Sequence, residues 1–273
     1  MKTERRLSGV LRALAIPVLG SMLLSVAGLC VTRRVLPMKT LEAANDVVGN
    51  YLQTLGSIYA VLLAFVVFVV WNQFNEARGF VETEANEILD LHRTVAGLAE
   101  PAIRQVRGLS RAYLDAVLDK EWTTMAGHGP EGPGESAAIL DKMWTAVHDA
   151  DPTAGGGAPA YREVLKRLDD ISDARSSRLT ASRTRIPQAM RVLLYSGAIT
   201  MVGSMYLFAV ASFAIHATIT ALLAGAISHV IFIIEDLDNC FGGSWQVSRA
   251  AFVRVRAQLA AAGALHELPS PPK

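Results

Sequence analysis

The sequence predicts an all-α integral membrane protein with four transmembrane helices and an α-helical cytoplasmic domain between the second and the third. The 43 residues from Val192 to Ile234 contain no Asp, Glu, Lys or Arg. At about 1.5 Å per residue, this run is roughly twice as long as one bilayer crossing. Two earlier charge-free runs, Ala13 to Thr32 and Val47 to Asn75, each suffice for one crossing. A polar stretch between Glu76 and Arg191 predicts the intervening domain.

The first span is predicted at about residues 11–32. Its length could suggest a secretory signal, but the uninterrupted uncharged stretch has charged residues on both sides. This pattern fits a retained membrane helix better than a cleaved signal.

The second span is predicted at about residues 51–71, and no residue typical of a helix end follows it. Apolar or small residues instead recur at steps of three and four, which is the spacing of one face of a helix. These residues are Phe74, Ala77, Val81, Ala85, Ile88, Leu91, Val95 and Leu98. We therefore expect the membrane helix to continue into the domain of residues 76–190 and to end near Pro101.

Further helices are predicted in that domain. An amphipathic helix covers about Ala102 to Met125, and a longer one covers Ala160 to about Arg185, with a short helix between them. Glycine and proline mark two loops, Gly127 to Ser136 and Asp151 to Pro159. No segment alternates polar and apolar residues as a strand would.

The 43-residue run predicts a hairpin of two spans within residues 191–236, at about 192–211 and 217–234. Residues 237–273 follow as a cytoplasmic segment. In it, LDNCFGG (Leu237 to Gly243) predicts a turn, Ser244 to Ala262 a helix, and LPSPPK a disordered tail.

Orientation follows from the basic residues near the span ends. Lys and Arg concentrate in the amino-terminal tail, before the third span and in the carboxyl-terminal segment, which places all three in the cytoplasm. The residues before the third span are Arg175, Arg178, Arg183, Arg185 and Arg191. The same residues could hold anionic lipid headgroups or concentrate anions, although orientation alone requires such a cluster.

Composition excludes several function classes. The net charge of +1 gives no indication of a nucleic-acid partner. Cys30 and Cys240 fall on opposite membrane faces in the predicted topology, so no disulfide is expected. The sequence has no HExxH, GxSxG, phosphate-loop or CxxC motif, and we expect neither a catalytic site nor a cofactor or metal.

Three strings resemble the bestrophin-like membrane family, which is found mainly in bacteria. They are FVVFVVWNQFNEARGFVETEANEILDLHR from Phe65 to Arg93, RSSRL with a following IP from Arg175 to Pro187, and LDNCFGG after the last span. The resemblance extends over most of the chain in the same order. It implies a bacterial inner-membrane protein with both termini in the cytoplasm.

The resemblance also implies a pentameric anion channel in which the second helix lines a hydrophobic neck. Bestrophins bind calcium through an acidic cluster after a Pro-Phe-Gly turn. Here Gly243 is followed by Ser244, Trp245, Gln246 and Val247, none of which is acidic. Calcium gating by that route is therefore not expected.

A bulky face of the second span is the candidate pore lining: Ile58, Leu62, Phe65, Val69 and Asn72. Several copies around an axis would form a hydrophobic constriction that gates by dewetting. The alternative is that this face meets lipid. The small residues Gly56, Ala60 and Ala64 lie on the other side and would allow close helix packing.

Ionisable residues give further candidates. His229 follows Ala221 and Gly225 at four-residue steps, so we expect it to point into protein as an intramembrane polar group. The alternative is an ordinary interhelical hydrogen bond. His216 is predicted at the hairpin turn, in contact with water.

The carboxylates Glu84, Asp236 and Asp238 are candidates for ion binding at a vestibule. The alternative for each is a solvated helix face with local ion pairs.

Two classes of function fit these patterns. The first is a homo-oligomeric ion channel in the lipid bilayer that conducts inorganic anions. The second is a membrane-bound scaffold or sensor whose cytoplasmic helices bind a protein partner. A membrane enzyme fits least well.

Overall fold

The structure, a computed structural model, describes residues 2–43, 45–127 and 134–266. All regular secondary structure in those ranges is helical, which confirms the predicted all-α class. The α-helices have these bounds: α1, Lys2–Val35; α2, Met38–Glu42; α3, Asn45–Thr94; α4, Ala102–Ala116; α5, Trp122–Met125; α6, Glu135–His148; α7, Gly157–Arg183; α8, Gln188–Met205; α9, Phe213–Asp238; α10, Ala250–His266.

The chain divides into two compact units. The membrane unit comprises residues 1–72 and 185–238, and the bundle unit comprises residues 73–184 and 239–273. Both units draw on two separate stretches of sequence.

Three helical segments are long and apolar enough to cross a membrane: Ala13–Val35, Asn45–Gly97 and Phe213–Asp238. Helix α8 has 18 residues and includes Arg191 in its first turn, so its apolar part is shorter than that of the other three. In the membrane unit α1 packs on α9, and the contact is close at Gly225, where a Cβ would lie 3.0 Å from the Cγ of Met22.

The α8–α9 turn lies earlier than the sequence predicted. It occupies residues 206–212, whereas the expected spans placed it near His216. The turn is itself apolar, so hydropathy contains no break that marks it. One polar side chain that holds it comes from α3: Asn45 accepts a hydrogen bond from the Ala209 amide (2.9 Å) and donates one to the Ala209 carbonyl (3.2 Å).

The apolar stripe predicted beyond the second span is confirmed. Val81, Ala85, Ile88 and Leu91 are almost completely buried and belong to the core of the bundle unit. Side chains from α4, α6, α7 and α10 complete this core.

The helix predicted from Ala102 to Met125 is one helical segment that contains a π-helical turn, Val117–Glu121, between α4 and α5. Such turns are rare and are frequent at functional sites. Here Glu121, the last residue of the π turn, is buried.

The last helix begins six residues later than the sequence predicted. Residues 244–249 are irregular, and the Ser248 hydroxyl accepts a hydrogen bond from the Ala250 amide at the start of α10. The predicted LDNCFGG turn is present, with Gly243 at φ +70°, a conformation that favours glycine. Most of the predicted loop after Gly127 and the predicted tail lie outside the described residues.

Candidate ion pathway and buried charge network

The pore-lining candidates share one face of α3 in the membrane unit. Ile58 and Phe65 are exposed in the single chain, while Leu62, Val69 and Asn72 are half-buried. More than half of the surface of Ile58 and of Phe65 is therefore uncovered in the described part of the chain.

The other side of α3 packs within the membrane unit. Tyr59, Val66 and Val70 are buried there, and the Tyr59 hydroxyl donates to the Leu194 carbonyl at 2.9 Å. A Cβ added at Gly56 would lie 3.4 Å from Cε of Met201, whereas Ala60 and Ala64, the other two residues of the predicted small stripe, are exposed.

His229 lies on the exposed side of α9, so the expectation that it points into the protein is wrong for the folded chain. Each four-residue step rotates a side chain by about 40° around the helix. The buried stripe of α9 instead runs through Ala224, Ile227 and Ile231. His229 lies eight residues after Ala221, so the accumulated rotation of about 80° places it away from this buried stripe.

His216 is fully buried, which corrects the prediction that it touches water. Its Nε2 lies 2.8 Å from the Met205 carbonyl oxygen and its Nδ1 lies 3.1 Å from a guanidinium nitrogen of Arg33. A carbonyl only accepts and a guanidinium only donates, so these bonds fit the neutral tautomer with the proton on Nε2. Arg33 also donates to the Val210 carbonyl, and the two side chains hold the α8–α9 turn.

Asp238 ends α9 with a buried carboxylate. Its Oδ1 accepts a hydrogen bond from the Ile186 amide (2.7 Å) and its Oδ2 accepts one from Arg191 (2.8 Å). Arg191 also pairs with Glu235 at 3.1 Å, and Asp236 is half-buried. The chain itself thus supplies donors to both oxygens of Asp238, one of the ion-binding candidates.

Glu84 is fully buried in the bundle unit, so its interpretation as part of a solvated helix face is wrong. Its two oxygens accept hydrogen bonds from Arg178 at 2.6 and 3.0 Å. The Tyr113 hydroxyl also donates to Glu84 at 2.7 Å. This fork-to-fork geometry is the strong form of an arginine–carboxylate contact.

A second carboxylate, Glu121, shares the same arginine. One Arg178 nitrogen lies 2.5 Å from Glu121, and Arg175 lies 2.9 Å from its other oxygen, which also accepts from the Ser136 hydroxyl. Burial by itself would raise the pKa of Glu121, but Arg178, Ser136 and Arg175 outweigh it and hold that pKa below its usual value. Glu121 is therefore a carboxylate anion at neutral pH.

The sequence does not predict this network, because the basic pattern before the third span assigns Arg175 and Arg178 to the membrane flank. Arg178 is instead fully buried, with its guanidinium 5.7 Å from the centre of the Phe252 ring. One sequence pattern could have indicated it: Arg178 continues the apolar stripe of α7 that includes Leu168 and Ile171.

Among the described residues, no group of three His, Cys, Asp or Glu side chains could hold a metal ion. In the bundle unit the buried carboxylates Glu84 and Glu121 pair with the chain's own arginines.

Known proteins share this fold. Three crystal structures of a bacterial bestrophin homologue from Klebsiella pneumoniae match it. A leucine-to-threonine variant has a TM-score of 0.70 at 14% identity over 89% of this chain and 98% of that chain. An aspartate-to-alanine variant has a TM-score of 0.69 at 16% identity, over 94% of this chain and 99% of that chain. A structure phased by zinc anomalous scattering has a TM-score of 0.67 at 14% identity, over 89% of this chain and 97% of that chain. At this identity the likeness establishes the fold.

A search of curated proteins gives no significant match. The family model described as a bestrophin-like domain, however, matches residues 19–252, which is most of the chain. The chain therefore belongs to the bestrophin-like family of membrane ion channels.

Proposed function

We propose that the protein is a homo-oligomeric channel that conducts inorganic anions along a path lined by α3. In this proposal the chain crosses the bilayer four times, through α1, the first part of α3, α8 and α9. The bundle unit and both termini lie in the cytoplasm, and the membrane is the bacterial inner membrane. Family membership supports the channel activity.

The exposed apolar face of α3 carries the proposal. Ile58 is 65% exposed and Phe65 is 54% exposed in the single chain. One helix face cannot enclose a pathway, so a channel requires several copies around an axis, and we propose a pentamer. The facing rings of Ile58 and Phe65 would then form a hydrophobic neck.

Asn72 is the polar residue at the end of this face, and its amide can donate hydrogen bonds to a passing anion. Glu84 and Asp238 are not part of the proposed path, because donors of the chain itself already occupy their oxygens. The proposal therefore assigns selectivity to the neck rather than to a ring of carboxylates.

Planar-bilayer recording of the purified oligomer tests the activity. We expect discrete conductance steps, with a reversal potential in a chloride gradient that follows anions. Phe65→Ala should raise the conductance by widening the neck, and Asn72→Ala should change the selectivity. Silent bilayers from a well-folded oligomer would contradict the proposal and would favour the scaffold.

Cysteine accessibility tests the lining separately. Cys30 and Cys240 are first replaced by serine, and single cysteines are then placed at Ile58 and Phe65. In the proposed channel a water-soluble thiol reagent modifies both positions. Leu23, an exposed residue of α1, is the matched control and should resist the reagent because it faces lipid. Equal resistance at all three positions would place the α3 face against lipid.

A further inference from the structure

A groove of about 520 Å³ lies in the membrane unit, among α1, α8 and α9. This volume is within the range of small-molecule sites. Its α8 wall is made by residues that recur along one face of the helix and just past its end: Tyr195, Ala198, Ile199, Val202, Gly203 and Tyr206. The groove therefore follows α8 lengthwise.

The groove is long and narrow. Tyr195 and Tyr206 are 11 residues apart, which corresponds to about 16 Å along a helix axis. Distributed over that length, the volume corresponds to a cross-section of about 30 Å². A helix with its side chains, about 10–12 Å in diameter, needs roughly three times as much. An extended hydrocarbon chain needs only about 20 Å², since carbon atoms approach each other to about 3.5–4.0 Å.

The serine hydroxyls that line the groove already have partners. Ser21, Ser25 and Ser228 each donate to a backbone carbonyl of α1, at 2.8, 2.8 and 3.2 Å. Most of the remaining lining is aliphatic. With its serine donors engaged, the groove favours an apolar ligand.

The rim of the groove lies on membrane helices. Leu24 of α1 and Ile199 of α8 line the groove and are exposed. The segments Ala13–Val35 and Phe213–Asp238, which supply the α1 and α9 walls, are long and apolar enough to cross a membrane. In a bilayer such a rim is surrounded by lipid acyl chains instead of water. An acyl chain can therefore enter the groove directly from its surroundings.

We propose that this groove holds one acyl chain of a membrane phospholipid in each subunit. Three helices contact the chain on three sides, whereas a lipid at the outer surface of a helix contacts protein on one side. The additional dispersion contacts hold it more firmly than the surrounding lipid. The site rests on the proposed placement of α1, α8 and α9 in the bilayer and does not depend on ion conduction.

Native mass spectrometry of the full-length protein in detergent, with dioleoyl-phosphatidylglycerol added, tests the site. Wild type should retain one lipid per subunit after loosely bound lipid is removed. Gly203→Phe should reduce this retention by about tenfold or more. A Cβ at Gly203 meets no atom within 4 Å, so the ring can enter the groove without displacing protein.

Gly20→Phe is the matched control. Gly20 also has open space around a Cβ, but it lies on α1 outside the groove lining, so this variant should retain lipid as wild type does. Equal retention by wild type and Gly203→Phe, or no retained lipid in wild type, would overturn the proposal. The same spectra report the number of subunits. Dissociation of the oligomer by Gly203→Phe would assign the groove to a neighbouring copy and would also overturn it.

A second lipid tests the fit without any substitution, should Gly203→Phe fail to fold. Diphytanoyl-phosphatidylglycerol has the same headgroup, but methyl branches widen its acyl chains. Wild type should retain it several-fold less than the dioleoyl lipid, because the groove is narrow. Equal retention of the two lipids would assign binding to the headgroup and would contradict the proposed acyl-chain site.

Discussion

Arg178 and Glu84 form an ion pair in which both side chains are completely buried. The pair joins α7 to α3 across 94 residues of sequence. A second carboxylate, Glu121, lies on the same guanidinium, and Phe252 covers it. Removing two charges from water is costly, and this geometry offsets the cost only while every partner is present.

Arg178→Met should therefore destabilise the bundle unit strongly. The substitution leaves Glu84 and Glu121 buried without their shared cation, a change that typically costs about 3–5 kcal/mol. Thermal unfolding followed by tryptophan fluorescence measures it, because the Trp122 ring lies 6.1 Å from that of Phe252.

The double variant Arg178→Met with Glu84→Gln tests the cause. It removes one orphaned charge, so it should recover part of the loss caused by Arg178→Met alone. Arg162→Met, at an exposed position of α7, is the control and should change stability by less than about 0.5 kcal/mol. A double variant no more stable than Arg178→Met would show that packing, not charge, explains the loss.

His92 should make stability depend on pH. Burial, together with Arg107, Arg111 and Arg93, lowers the pKa of His92 from 6.5 to about 4. Between these values the unfolded chain binds a proton that the folded chain does not. The contribution of His92 to stability should be constant above pH 6.5 and should fall as pH decreases towards 4, by roughly 2–3 kcal/mol.

Unfolding of wild type and His92→Leu over that pH range measures the effect. The variant should lack the His92 contribution, so its stability should fall less between pH 6.5 and 4. His148→Leu, at an exposed histidine of α6, should retain the wild-type dependence. Parallel curves for wild type and His92→Leu would assign the pH dependence to other groups.

The helices of the bundle unit could be predicted because burial follows spacing. Val81, Ala85 and Ile88 recur at steps of three and four, and all three are buried. Such a stripe can be predicted without knowing which helices pack on it, because any packed helix buries its apolar side.

The charge network and the α8–α9 turn could not be predicted in this way. Hydropathy treats arginine as solvated, so it assigns Arg178 to the surface, although α3 supplies a buried carboxylate for it. The turn has no charged residue to mark it, and Asn45 and Arg33, which bind it, come from distant positions in the sequence. Both features depend on partners that only the folded chain brings together.

Gly197 should not tolerate a side chain. A Cβ at this position would lie 2.4 Å from Cε2 of Tyr59, whose ring is fixed by the hydroxyl bond to Leu194. Gly197→Ala should destabilise the membrane unit by about 1–3 kcal/mol through overpacking, as measured by thermal unfolding in detergent.

Gly203→Ala is the matched control on the same helix. A Cβ there meets no atom within 4 Å, so alanine should be neutral or stabilise α8 by up to about 1 kcal/mol. Combining Gly197→Ala with Tyr59→Leu should reduce the penalty because the ring is removed. An unchanged penalty in that combination would mean that Tyr59 is not the obstacle.

Asn45→Ala should loosen the α8–α9 turn. The side chain pairs with both the amide and the carbonyl of Ala209, and alanine leaves these two backbone groups without their partner. We expect a loss of about 1–3 kcal/mol and faster hydrogen exchange at the Ala209 amide. Asn50→Ala, at an exposed position of the same helix, should leave that exchange rate unchanged. If both variants exchange at the wild-type rate, another group must hold the turn.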